Sequence, residues 1–260
     1  MTIFEAFILG LIQGLTEFLP ISSSGHLEIG KALLNTKSPD HLLFTIVVHG
    51  ATVLSTIAVF RKEILSLING LLKFEWNFST QYISKLAVSA IPILIIGLLF
   101  YENIETMFFG NTVLVGFMLF VTGLLLVFAH YVKITGSEVG FIQSLIIGTT
   151  QVLAILPGVS RSGATIAAAL LTGVKKEQAT RFSFLMVLVP IIGANILAIG
   201  RSEVSDLQLE ILPLTTGFVA AFISGFFACK WMITLVNKRK LIFFAYYCFV
   251  VGTLVLIFSF

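Results

Sequence analysis

Gln13 and Glu17 stand four residues apart and are followed by Ser22, Ser23, Ser24, Gly25 and His26. On a helix that spacing puts both side chains on one face. An amide and a carboxylate therefore grip one target, with three hydroxyls and an imidazole close behind. A second string, Pro157-Gly158-Val159-Ser160-Arg161-Ser162-Gly163-Ala164-Thr165, surrounds a guanidinium with hydroxyls. Arg161 stays charged in any surroundings, and its planar fork fits phosphate or carboxylate oxygens in pairs. With Ser160, Ser162, Thr165 and the amides that open the following helix, it forms an anion receptor. Hydroxyl nucleophiles, His26 as a base near working pH, a carboxylate able to hold a divalent cation and an arginine for the transferred charge make an inventory for phosphoryl transfer. A diphosphate suits it.

Structural readings stand beside these. Serine at a turn caps a helix, which accounts for one or two of the three hydroxyls but not for His26 and Glu17 as well. Arg161 paired with Glu17 would simply hold two segments together. A carboxylate at membrane depth costs about 2.5 to 3.5 kcal/mol, so Glu17 is paired, lining water or functional.

The two strings are copies. Gly10, Gln13, Ser22, Ser24 and Gly25 recur as Gly148, Gln151, Ser160, Ser162 and Gly163, each 138 residues later, and a Leu-Pro pair precedes each serine cluster. The elements that must position them are membrane helices. Of 260 residues, 57% are hydrophobic and 11% charged, outside the range of soluble domains. A span needs about 20 apolar residues, and six stretches qualify: 41–60, 84–101, 112–132, 182–200, 211–229 and 241–259. Residues 3–33 and 141–173 are apolar but interrupted by the Pro-Gly-Ser turns, and each is predicted to be a re-entrant helical hairpin.

Segments 61–85, 133–140, 174–181 and 230–240 hold 12 of the 16 basic residues, whereas 31–40, 101–111 and 201–210 hold three and are acidic. Positive loops stay in the cytoplasm, so both termini are expected outside. Residues 1–133 and 134–260 then form two halves of one membrane domain, each a hairpin plus three spans, related as an inverted-topology repeat with the hairpin tips meeting. The N-terminal segment lacks a basic start and a cleavage pattern and is not expected to be a signal peptide. Cys229 and Cys248 are read as small apolar residues. The net charge of +3 belongs to the topology-setting loops and points to anionic lipid headgroups, with no nucleic acid partner.

At Gln13-Gly-Leu-Thr-Glu17-Phe-Leu-Pro-Ile-Ser22-Ser23-Ser24-Gly25-His26, at Pro157 through Thr165 and at Phe182-Ser183-Phe184-Leu185, the chain resembles the bacterial undecaprenyl-pyrophosphate phosphatase family of the bacitracin-resistance type. The resemblance implies removal of the terminal phosphate from the C55 isoprenyl diphosphate. The product is the monophosphate carrier recycled for cell-wall synthesis, made in the bacterial plasma membrane at a site facing the outer side. It implies catalytic roles for Glu17, Ser23, His26 and Arg161. It also implies a supporting divalent cation, Mg or Ca, expected near Glu17 and Gln13; phosphate contacts are expected from Ser22, Ser24, Ser160, Arg161, Ser162 and Thr165. Position 13 is Gln where many members of the family carry Glu, so a two-carboxylate cation site is weakened. A homodimer is admitted as the assembly. The rival reading is a lipid or anion transporter or flippase with the same inverted-repeat architecture. An intramembrane serine protease is disfavoured by Arg161 among hydroxyls.

Overall fold

The computed structural model describes residues 1–36, 41–108, 111–132, 136–201, 211–238 and 240–258. The outer-loop charges at Lys37, Glu203, Asp206 and Glu210, and Arg239 in the inner run, lie outside the described residues. The protein is all-helical, with eleven described helices: α1 (Ile3–Phe18), α2 (Ser23–Leu34), α3 (His41–Leu71), α4 (Phe78–Phe108), α5 (Thr112–Tyr131), α6 (Phe141–Leu153), α7 (Arg161–Leu171), α8 (Lys176–Met186), α9 (Leu188–Arg201), α10 (Ile211–Asn237) and α11 (Leu241–Phe258). Among the described residues, six segments are long and apolar enough to cross a membrane: Leu43–Leu71, Phe78–Gly97, Thr112–Tyr131, Lys176–Ile196, Ile211–Asn237 and Leu241–Phe258. This is a multi-pass membrane protein.

The helices are inside-out relative to those of a soluble protein. On α11 the exposed stripe is Phe243, Tyr246, Val250, Leu254 and Ile257, while the buried one is Leu241, Ala245, Cys248, Gly252 and Val255. Small residues are buried because helices in lipid gain from close backbone approach rather than from hiding apolar surface. Thus Gly116 of α5 meets α11 at Leu256 and Gly252, and Gly10 and Gly14 of α1 lie against Gly217, Ala220, Ala221 and Gly225 of α10. Gly148 of α6 lies against Ser89 of α4. The pairing is exchanged between the halves of the chain. The first helix of residues 1–133 packs on the second span of residues 134–260, the first helix of residues 134–260 packs on the second span of residues 1–133, and the last spans, α5 and α11, pack on each other.

The two interrupted stretches fold as helix-turn-helix pairs, α1–α2 and α6–α7, each arm shorter than a span. Ser137 and Val174 form an isolated parallel bridge, and Lys175 N donates to Ser137 O at 2.9 Å. The chain therefore enters α6 and leaves α7 at one place. The fourth expected span, 182–200, departs from a single helix. It is broken at Val187 between α8 and α9, because Pro190 has no N–H to donate and its ring clashes with the carbonyl four residues back, at Met186.

Candidate active site

Both hairpin turns are built alike. Ser22 caps α2 by accepting from Gly25 N at 3.2 Å, and Ser160 caps α7 by accepting from Gly163 N at 3.0 Å. The hydroxyl pairs Ser22–Ser24 and Ser160–Ser162 lie 3.4 and 3.2 Å apart. Glycine lets the turns touch: a Cβ on Gly25 would stand 3.1 Å from Gly158 Cα, and one on Gly163 would stand 3.2 Å from Pro20 Cβ. Ser162 Oγ donates across the contact to Leu19 O at 3.2 Å. Thr122 of α5 pins the second turn, donating to Gly158 O and accepting from Ser160 N, both at 3.0 Å. Gly158 has φ +101 there, a conformation that disfavours side chains.

At the contact the two halves share one carboxylate. Glu17 Oε2 accepts from Ser23 Oγ at 2.6 Å and from Gln13 Nε2 at 2.9 Å, while Oε1 accepts from Arg161 Nη2 at 3.1 Å. Ser23 opens α2 and Arg161 opens α7, so two helix N-termini, each the positive end of its dipole, converge on Glu17. The Glu17 side chain is 7% exposed and that of Arg161 25%, so the guanidinium remains reachable. Ser22, one residue before Ser23, has φ 71 and ψ 98, a sparsely populated conformation of the kind that clusters at functional sites. A narrow cleft beside the ion pair is lined by Thr52 and Thr56 of α3 and by Phe184, Val187 and Ile191 around the α8–α9 break.

The sequence-predicted residues separate into two groups. Gln13, Glu17, Ser23 and Arg161 come together. Ser22, Ser160, Ser162 and Thr165 are committed to the fold, Thr165 donating to Arg161 O at 2.8 Å, and Ser24 lies beside the Ser22 cap. His26 is turned to other partners. Its Nδ1 donates to Ser22 O at 2.8 Å and its Nε2 faces Tyr247 Oη at 2.8 Å, with the two rings stacked at 5.6 Å. Tyr247 was not visible as a site residue in the sequence, and neither was His49 of α3, whose Nε2 lies 3.8 Å from Glu17 Oε2. His49 Nδ1 donates to Thr45 O at 2.8 Å, which leaves Nε2 facing the carboxylate. A signal for His49 exists: Thr45, His49, Thr52 and Thr56 recur at helical spacing inside a mostly apolar span.

The family profile of bacitracin resistance protein BacA matches residues 6–254. The chain belongs to this family. Among its relatives, a protein of Christiangramia forsetii named undecaprenyl-diphosphatase is 52% identical over 262 residues, covering 100% of this chain and 99% of the relative. One of Bacteroides fragilis with the same name is 48% identical, with 98% of both chains covered. Another so named, from Methanobrevibacter smithii, is 36% identical over 98% of this chain and 97% of its own.

Proposed function

We propose that this protein hydrolyses undecaprenyl diphosphate to undecaprenyl phosphate and inorganic phosphate. The observation that carries the reading is the convergence of both hairpin turns on Glu17, which places a reachable guanidinium and a serine hydroxyl at one carboxylate. The names of the relatives support the same chemistry, and a carrier would have no use for a nucleophile held by a base.

In this mechanism Arg161 leaves Glu17 to hold the distal phosphate, its charge-assisted bonds strengthening as negative charge gathers on the equatorial oxygens. Ser23 Oγ attacks the distal phosphorus and passes its proton to Glu17. The bond to the bridging oxygen breaks, and the monophosphate leaves with that proton. Water then attacks the phosphoserine and gives its proton to Glu17; the bond from phosphorus to Ser23 Oγ breaks, Glu17 returns the proton to Ser23 Oγ, and inorganic phosphate is released. Glu17 thus takes the role of base expected of His26. His26 is a positioning residue that ties down the Ser22 carbonyl and so sets the strained turn before Ser23. The apolar walls at the α8–α9 break lead the prenyl chain away from the phosphates.

The donor set fits a divalent cation. Gln13 is fully buried and its Oε1 has no hydrogen-bond partner among the described residues, and amide and carboxylate oxygens are the ligands that Mg and Ca take. Gln13 and Glu17 would hold the ion. When bound it would supply charge neutralisation at the diphosphate.

Topology belongs to the same proposal. The exchanged packing of α1 on α10 and α6 on α4, with α5 on α11, supports an inverted repeat of residues 1–133 and 134–260. The bridge between Ser137 and Val174 supports a re-entrant second hairpin. With basic loops inside, the first hairpin enters from the outer face of the plasma membrane and the site opens there. The test is phosphate release from C55 diphosphate by purified protein in detergent, with and without chelator. Hydrolysis is expected, and flux across sealed vesicles without phosphate release would favour the transporter reading.

A further inference from the structure

Away from Glu17 and Arg161, the turn between α3 and α4 encloses an open cavity of about 610 Å³. Lys62, Ser66, Asn69 and Lys73 line it, and their spacing of four, three and four keeps them on one face of α3 and its continuation into the turn. None of the four side chains has a hydrogen bond or ion pair among the described residues. Glu75 is the single acid in the lining, so the cavity carries two positive charges against one negative. Beside it Leu72, Phe74, Trp76 and Phe78 are exposed, Phe74 by 92% and Trp76 by 65%. Exposed aromatic side chains at the end of a span are the mark of a membrane interface, where rings lie at headgroup level.

We propose that this cavity binds the phosphate headgroup of an anionic phospholipid. The two ammonium groups, the Ser66 hydroxyl and the Asn69 amide meet the phosphate, while Phe74, Trp76 and Leu72 lie along the acyl chains. The apolar rim is what selects a lipid over a soluble anion, which would leave those rings in water. The basic cavity selects an anionic lipid over a zwitterionic one, since lysines near the surface attract anionic lipid. The site shares no residue with the cleft beside Glu17 and does not depend on the reaction carried out there.

The two tryptophans, Trp76 and Trp231, make the test direct. In full-length Trp231→Phe protein, reconstituted in phosphatidylcholine vesicles, Trp76 reports the local lipid. Dibrominated phosphatidylglycerol is expected to quench Trp76 about threefold more than dibrominated phosphatidylcholine at equal mole fraction. The preference should vanish in Lys62→Gln/Lys73→Gln and persist in Lys238→Gln/Lys240→Gln, with phosphate release unchanged in both as the check on folding. Equal quenching by the two lipids overturns the proposal, as does a preference that survives Lys62→Gln/Lys73→Gln. Loss of the preference on adding inorganic phosphate at constant ionic strength also overturns it, in favour of a soluble anion.

Discussion

The two hairpin turns share one scaffold and differ in chemistry. Ser22 and Ser160 make the same cap, Gly25 and Gly163 the same close approach, and the hydroxyl pairs have nearly the same spacing. Where the first copy has Glu17, Ser23 and His26, the second has Ile155, Arg161 and Ala164. Gln13 reaches Glu17 at 2.9 Å, whereas its copy Gln151 is fully buried with neither amide atom hydrogen-bonded among the described residues. The repeat thus supplies two turns and two helix N-termini, with a carboxylate and an additional hydroxyl on one and a guanidinium on the other. Neither turn alone supplies both partners of Glu17.

That contrast can be broken residue by residue. Arg161→Ala removes the only charged group contributed by the second turn and should lower phosphate release by about 10³-fold without loss of folding, as judged by circular dichroism and monodispersity. Near wild-type turnover would discard the phosphate clamp. Glu17→Gln keeps the shape but removes the base and the partner of Arg161, and a loss of about 10²- to 10³-fold is expected in the same assay. His26→Ala should cost about tenfold in kcat through the misplaced turn. His26→Asn, which keeps a donor for the Ser22 carbonyl, should recover part of it, and a complete loss in both would return His26 to a direct chemical role. The smallest effect belongs to the second copy's amide. Gln151→Leu should leave the rate unchanged and raise stability by about 1 kcal/mol in thermal unfolding, because an unpaired buried amide is replaced by an apolar group. The equivalent Gln13→Leu should lower turnover.

Much of this was legible from residue types and spacing. Six apolar stretches long enough to span, and two that were interrupted, correspond to six candidate spans and two helix-turn-helix pairs. The exception, the break at Val187, is signalled by Pro190, whose effect on the preceding turn is local. In the candidate site, Glu17 and Arg161 stand out in the sequence because charge is expensive at membrane depth, and Ser23 only through its place in the motif that follows Glu17. The hydroxyls were harder to assign, since serine and threonine serve caps and ligands equally well: Ser22 and Ser160 cap, and Thr165 bonds back to its own helix. His49 reaches Glu17 from α3 and Tyr247 reaches His26 from α11, contacts that depend on helix packing between distant segments, and only His49 leaves a faint periodic trace in the chain.

The central claim is that both turns make one site through Glu17 and Arg161. Phosphate release by Glu17→Gln, Arg161→Ala and the double variant measures it directly. Groups acting as a unit are non-additive, so the double variant is predicted to be no slower than the worse single variant. Losses that multiply in the double variant would show two independent contributions and contradict a shared site.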